Sequence, residues 1–312
     1  MLFHEKLILV LFLTAVFAVY AGAAAMLAAA LWRRRRGATQ PLSRGYLWLR
    51  RGVLALAVLG LACIGYGFIE PYRLEVSRVT VTTPRLPAGA RPFRLALISD
   101  LHSDPRARLE ERLPEVIARE KPDAILFGGD AVNSPGGLPV FRRCMEELAR
   151  IAPTFAVRGN WDVFYWKDMD LFAGTGVREL DSEAVSITRD DATLWIAGAP
   201  LWGDWRIEEA LQRVPRNAPT VLLYHLPAGI DPGARAGVDL VCAGHNHGGQ
   251  IALPGYGALL LLSRHGKRFE SGLYRVQNTW LYVNRGIGME GRVPRVRFCA
   301  RPEVTVIDLA PE

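Results

Sequence analysis

Cysteine is scarce in this chain of 312 residues: there are four, with no CxxC spacing. Cys63 falls in an apolar run, and Cys144, Cys242 and Cys299 leave an odd number. Neither a disulfide framework nor a thiolate metal site is supported. Cys242 closes the apolar run 238–242 and reads as a small buried residue. Excess charge is also missing where it would matter. The net charge of +7 comes from residues 1–69, which hold eight Lys/Arg and one Glu; the rest of the chain balances 30 basic against 30 acidic residues. A neutral folded part lacks the basic face of a nucleic-acid binder, so no nucleic-acid partner is expected. No internal repeat occurs, and no low-complexity segment beyond one arginine run.

What is present begins with apolar sequence. Hydrophobic residues make up 50% of the chain, with the excess at the N-terminus. Residues 7–32 carry no charge, and about 25 such residues cross a bilayer as a helix. Residues 52–69 form a second uncharged run of about 18, short but sufficient. A cleaved signal peptide fits poorly: the run is too long, its early basic region is only His4 and Lys6, and a second run follows. Between the runs lie Arg33, Arg34, Arg35, Arg36, Arg44, Arg50 and Arg51. Short arginine-rich loops stay in the cytoplasm. The expectation is therefore a cell (inner) membrane protein: anchor 1–69, with helices at about 7–32 and 52–69, connector 70–92, and an extracytoplasmic domain 93–312.

In the folded part, residues 93–99, 123–127 and 154–157 read as strands. Residues 108–120 read as a helix with Leu109, Leu113, Val116 and Ile117 on one face, and 139–151 as a second with Val140, Met145, Leu148 and Ile151 inward. This strand–helix–strand rhythm predicts parallel crossovers. Later come strands at 194–198, 220–224, 240–243, 280–283 and 304–307, with one clear helix near 207–212. More strands and fewer helices predict two sheets face to face with helices outside. The connector alternates apolar and polar residues over 75–81, in the manner of a strand.

Polar motifs close the apolar runs: Asp100-x-His102, Gly129-Asp130, Gly159-Asn160-x-Asp162 and Gly244-His245-Asn246-His247, with His225 between the last two. Carboxylates, an amide and imidazoles are the donors a pair of divalent ions takes. Loops after buried strands hold such donors rigidly while facing a crevice. Taken singly, an Asp after a strand is usually a helix cap and a His in a sheet a core residue. His245 and His247, two apart after a glycine, point the same way in extended chain. His4 and His265 stand alone and receive no metal role.

These five blocks, in this order, resemble the calcineurin-like metallophosphoesterases. Gly248-Gly249-Gln250-Ile251 and residues 282–288 resemble the family's membrane-anchored bacterial branch. The resemblance covers about residues 93–309. It implies an α/β fold, a four-layer sandwich of two mixed sheets flanked by helices behind two N-terminal transmembrane helices. It also implies two divalent ions (Mn, Fe, Zn or Mg), one on Asp100, His102, Asp130 and His247, the other on Asp130, Asn160, His225 and His245. Such ions acidify a water for in-line attack on phosphorus and neutralise the growing charge, with Asp130, Asn160 and His245 central. Asp162 is expected behind the ligands, orienting them.

One departure stands out. Where the family usually has a histidine after the asparagine, helping the leaving group depart, this chain has Trp161. Tryptophan cannot shuttle a proton at neutral pH, and losing a general acid typically costs about 10²–10⁴-fold in rate. Good leaving groups, or a proton from His265 or Arg158, would compensate. Trp161 also opens an aromatic series with Phe164, Tyr165, Trp166, Trp202 and Trp205, which reads as core and interface packing or as an apolar wall for an acyl chain or nucleobase.

The leading reading is a membrane-anchored phosphodiesterase acting on a phosphodiester or pyrophosphate, lipid-linked substrates included. A UDP-2,3-diacylglucosamine pyrophosphatase-like enzyme is the alternative, although its cytoplasmic substrate conflicts with the arginine loop. A metal-dependent binding module is another, because of Trp161; a nuclease is disfavoured by the neutral domain and the anchor. Alkaline phosphatase fused after residue 75 should be active if the domain lies outside the cytoplasm, and an inactive fusion would reverse this orientation.

Overall fold

The computed structural model describes residues 3–201, 203–261, 263, 265–291 and 295–312. Trp202 and the side chain of His4 lie outside the described residues. Helices α1 (Phe3–Arg35) and α2 (Arg44–Gly67) form an antiparallel hairpin, each long and apolar enough to cross a membrane. They pack where Tyr20 meets Gly60: the Tyr20 hydroxyl donates to the Ala57 carbonyl at 3.3 Å. The Ser43 hydroxyl caps α2 by accepting from the Tyr46 amide. At the loop end, Arg36 stacks on Trp32 and Arg51 on Trp48, cations over rings as at a membrane–water interface.

The remainder is built on two six-stranded sheets. The first contains, in order, β1 (Glu75–Thr83), β14 (Glu303–Pro311), β2 (Phe93–Ile98), β3 (Ala124–Phe127), β4 (Thr154–Ala156) and β5 (Arg178–Glu179). The second runs β12 (Gly272–Val276), β13 (Thr279–Val283), β9 (Leu240–Ala243), β8 (Thr220–Leu223), β7 (Ala192–Gly198) and β6 (Glu183–Arg189). A small hairpin pairs β10 (Ala252–Leu253) with β11 (Gly257–Ala258). Between the sheets, Leu95, Leu97 and Leu126 meet Ile196, Val221, Leu223 and Leu240 in a dry core. Outside the first sheet, α3 (Leu113–Glu120) and α4 (Leu138–Ile151) bury Ile117, Phe141, Met145 and Leu148 on Ile98, Ile125 and Phe127. Outside the second, α6 (Asp204–Leu211) and α7 (Ile230–Ala236) bury Ile207 and Ile230 on Leu222 and Val241. A short helix, α5 (Asn160–Tyr165), caps the edge of the first sheet. This is the expected four-layer α/β sandwich.

Three local expectations differ from the structure. The helix expected from 108 begins at Leu113, because Pro114 has no amide to give an upstream turn and suits only a first turn. The Glu110 carboxylate instead accepts the amides of Arg108 and Leu109. On α4 the deepest positions are Phe141, Cys144, Met145 and Leu148, while Val140 and Ile151 are half-buried. In the second half α7 joins α6; its seven residues, Pro232 and Gly233 among them, show too little apolar period to be read as a helix.

The alternating stretch of the connector forms β1, parallel to β14 from Glu75↔Glu303 to Thr83↔Pro311. Val81 on it is fully buried. Deleting residues 1–92 would strip β14 of this neighbour and leave a bare edge. Such a chain should aggregate on light scattering, whereas one beginning at Glu70 should stay monodisperse.

Candidate metal centre

Strands β2, β3 and β4 run parallel and end at one edge, and β7, β8 and β9 do the same in the second sheet. The loops at that edge carry every expected ligand. Five of the seven sit in left-handed backbone: Asp100 (φ 52°), His102 (41°), Asp130 (59°), His245 (70°) and His247 (50°). Asp tolerates this conformation better than most residues, yet each instance costs of order 1–3 kcal/mol. The turns re-aim the side chains from the strand direction into the crevice. Gly288 lets the 286–288 loop close behind them: a Cβ there would stand 1.9 Å from the Leu101 carbonyl.

Asp130 is central. Its Oδ2 lies 3.5 Å from His102 Nε2 and 3.5 Å from His225 Nε2, two imidazoles from different sheets. Its Oδ1 accepts the Trp161 amide at 2.8 Å. Asp100 Oδ1 lies 3.3 Å from His247 Nε2, and the His245 amide donates to Asp100 Oδ2 at 3.0 Å. His225 Nε2 and His245 Nδ1 converge on Asn160 Oδ1 at 2.9 and 2.8 Å. His225 Nδ1 donates to the Gly128 carbonyl at 2.7 Å, which leaves Nε2 facing the crevice. Ligand atoms of Asp100, His102 and His247 lie within 4.8 Å of one another, as do those of Asp100, Asp130 and His225.

Burial and charge oppose each other here. Burial would raise the Asp100 carboxyl, but His247, then His225 and His102, hold it well below the usual carboxylate range. Burial would raise Asp130 too, and His225 and His102 pull it down. Burial pushes His102 and His245 down to about 4, so both are neutral donors of a lone pair. Burial also lowers His225, but the Asp130 charge and hydrogen bond dominate and raise it to about 9. Both ring nitrogens of His102 are buried without a hydrogen-bond partner. A buried imidazole that lacks partners on both nitrogens, beside two carboxylates, fits a divalent ion.

Residues 93–249 match the calcineurin-like phosphoesterase family, which is half of the chain. The chain belongs to that family. It is 30% identical over 273 residues to the uncharacterized metallophosphoesterase YkuE of Bacillus subtilis, covering 83% of this chain and 94% of that protein. It is 29% identical over 275 residues to phosphodiesterase YaeI of Escherichia coli, covering 83% and 98%. A zebrafish (Danio rerio) transmembrane protein with metallophosphoesterase domain is 28% identical over 305 residues, covering 89% and 67%. Like other members of the family, this chain is a phosphoesterase, a hydrolase of phosphate esters.

Within this calcineurin-like site, Trp161 is buried, its ring edge-on to His102 at 5.1 Å and to Tyr165 at 5.0 Å. It lines a cavity of about 170 Å³ with Asp104, Asn133, Tyr165, Trp166 and Arg295. Asp162 points at no ligand side chain; it accepts the amides of Asp130 and Gly159 on Oδ2 and of Ala131 on Oδ1, at 2.8, 2.8 and 2.9 Å. Burial, then the Asp130 charge, pushes its carboxyl up to about 7. Arg158 does not join the ligands: it pairs with Glu179 at 2.6 Å and donates to the Trp166 and Met169 carbonyls. His265 pairs with Asp231 at 3.1 Å. Of the aromatic series, Trp166 is half-buried and donates to the Val132 carbonyl, while Phe164, Tyr165 and Trp205 are exposed.

Two residues at the site went unread in the sequence. Asn133 donates to the His102 and Met289 carbonyls. Arg297, fully buried, donates to the carbonyls of Arg285, Gly286, Gly288 and Ala300, and its Nη2 lies 3.4 Å from His247 Nδ1. Asn133 lies three residues past a ligand, a weak signal; Arg297 lies fifty past one and had none.

Because His225 keeps its second proton below about pH 9, a divalent ion entering at pH 7 must expel it. Apparent affinity should therefore rise as pH rises toward 9. Calorimetry of Mn²⁺ binding in buffers of different ionisation enthalpy should show about one proton released near pH 7 and less above pH 9.

Proposed function

We propose that this chain is a membrane-anchored two-metal phosphodiesterase whose best substrates leave without a proton, a lipid-linked pyrophosphate foremost. One observation carries the reading: Asp130 holds a single carboxylate oxygen 3.5 Å from imidazoles of both sheets, with the other ligands grouped around it. Asp100, His102, Asp130 and His247 would hold one divalent ion, and Asp130, Asn160, His225 and His245 the other. Bound there, the ions would supply Lewis acidity toward phosphoryl oxygens and an acidified water. The His225–Gly128 hydrogen bond fixes the tautomer that offers Nε2, and Asp162 holds the two loops in register through their amides.

The leaving-group side is different. Trp161 occupies the position of the proton donor, Arg158 is tied to Glu179 and His265 to Asp231. Among the described residues no histidine stands there. A pyrophosphate releases a phosphate ester, which needs no proton at neutral pH. The aromatic cavity beside His102, with Arg295 held by Asp104 at 2.7 Å, suits the rest of such a molecule. The two apolar helices, with arginines at their far turn, support an anchor of residues 1–69 in the cell membrane and an extracytoplasmic catalytic unit that begins before residue 93, since Glu75–Thr83 is a strand of its first sheet. That orientation disfavours a cytoplasmic UDP-sugar lipid as substrate. Trp161 alone favours a second reading, a weakly catalytic binding module.

Hydrolysis of bis-p-nitrophenyl phosphate with Mn²⁺ decides between them. The native chain should turn it over and Asp130→Asn should not, while Asp162→Asn should lose about 10–100-fold. Trp161→His should raise the rate on alkyl diesters, by up to about 10²–10⁴-fold, and leave the p-nitrophenyl rate little changed. Two ions bound with no turnover would establish the binding module.

A further inference from the structure

Both ends of the apolar hairpin return to the edge that carries the ligands. Strand β1 starts at Glu75 opposite Glu303, and β14 runs antiparallel to β2, so the chain enters the first sheet where β2 ends and Asp100 follows. The exit of α2 is fastened there. The Gly67 carbonyl accepts the Arg297 amide at 3.0 Å, and the Glu70 carboxylate accepts the amides of Cys299 and Ala300 at 3.0 and 2.7 Å. At the other end, Glu5 in the first turn of α1 is buried and accepts the Lys267 amide at 3.2 Å. Lys267 lies just before β12, whose Gly272 faces Val283 at the ligand end of β13. The Phe269 carbonyl, in the same turn, accepts from Asn246, which stands between His245 and His247.

The exposed apolar side chains of the folded unit gather at the same edge. Phe164 is 60% exposed on α5, the helix that begins at Asn160. Trp205, 59% exposed, sits in the first turn of α6 just past the end of β7. Leu260, 41% exposed, lies in the loop whose carbonyl approaches Gly249, two residues beyond His247. At the opposite edge the turns expose Lys121, Asp190, Asp191 and Gln277. One edge carries the exposed large apolar side chains, among charged ones such as Lys167 and Asp204, and is fastened to both membrane helices; the turns of the other expose only polar side chains among those named.

We infer that the metal-bearing edge faces the bilayer surface, with Phe164, Trp205 and Leu260 in the headgroup layer. A lipid can then present its phosphate to the site while its tails stay in the membrane. The orientation follows from α1 and α2 spanning that bilayer; the lipid substrate rests on the function proposed above. Large aromatic side chains favour this interfacial depth.

The test uses the full chain in phosphatidylcholine vesicles, with Cys63→Ser and Cys299→Ser and the two buried cysteines left in place. A bimane label goes on Phe164→Cys, Trp205→Cys or, on the far edge, Asp191→Cys. Labels at 164 and 205 should lose emission to doxyl-labelled lipid and be shielded from aqueous iodide, and the label at 191 should do the reverse. Rim labels that behave like the one at 191 would overturn the orientation. In a second readout, Phe164→Ser with Trp205→Ser should leave hydrolysis of bis-p-nitrophenyl phosphate unchanged and lower hydrolysis of a vesicle-borne pyrophosphate lipid by about tenfold or more, the transfer of large apolar side chains being lost. Lipid-quenched rim labels on a protein that cleaves only the soluble diester would support the orientation and defeat the lipid-substrate reading alone.

Discussion

One oxygen of Asp130 must lie between imidazoles that belong to different sheets, and the carboxylate of Asp162 keeps it there. Asp162 gathers the amides of Asp130, Ala131 and Gly159, so the loops after β3 and β4 cannot shift independently. The arrangement opposes ordinary solvation. Two buried carboxylates and a third behind them repel one another, and burial makes each dearer still. Imidazoles offset part of this and divalent cations would offset the rest, so the centre is organised for ions.

The strain of the ligand loops belongs to the same design. Left-handed backbone at five candidate ligand positions destabilises the fold locally, and the sandwich core must compensate. That core is continuous: the sheets share one apolar interior, and helices cover both outer faces. Rigid strands behind strained loops hold the donor atoms in place, as a metal site requires. The proposed preference for leaving groups that need no proton rests on Trp161 and on the pairing of Arg158 with Glu179 and of His265 with Asp231.

The hairpin is part of this machinery. Arg297 links the exit of α2 to the 285–288 loop, and that loop closes over Asp100: the amides of Ile287 and Gly288 donate to the carbonyls of Ser99 and Asp100. Glu5 reaches the turn that anchors Asn246. The two apolar helices are therefore joined to the chemical edge at both ends.

Much was legible in the order of residues. Apolar runs ending in Asp, His or Asn marked the strands and the loops that carry the candidate ligands, because polar groups on strand ends leave a local signature: a buried strand, a glycine, then a polar side chain. The two apolar helices were equally plain, since only length and lack of charge define them. What lacked a local signature became visible only in the tertiary structure. The role of Asp162 depends on the amides of Asp130 and Ala131, 32 and 31 residues upstream, and that of Arg297 on how the 285–288 carbonyls fold back around its guanidinium. The pairing of β1 with β14 spans more than two hundred residues. Sequence alone determined which donors the chain owns and in what order. Tertiary structure decided which atoms face each other, because strand register and left-handed turns set distances that no spacing along the chain encodes.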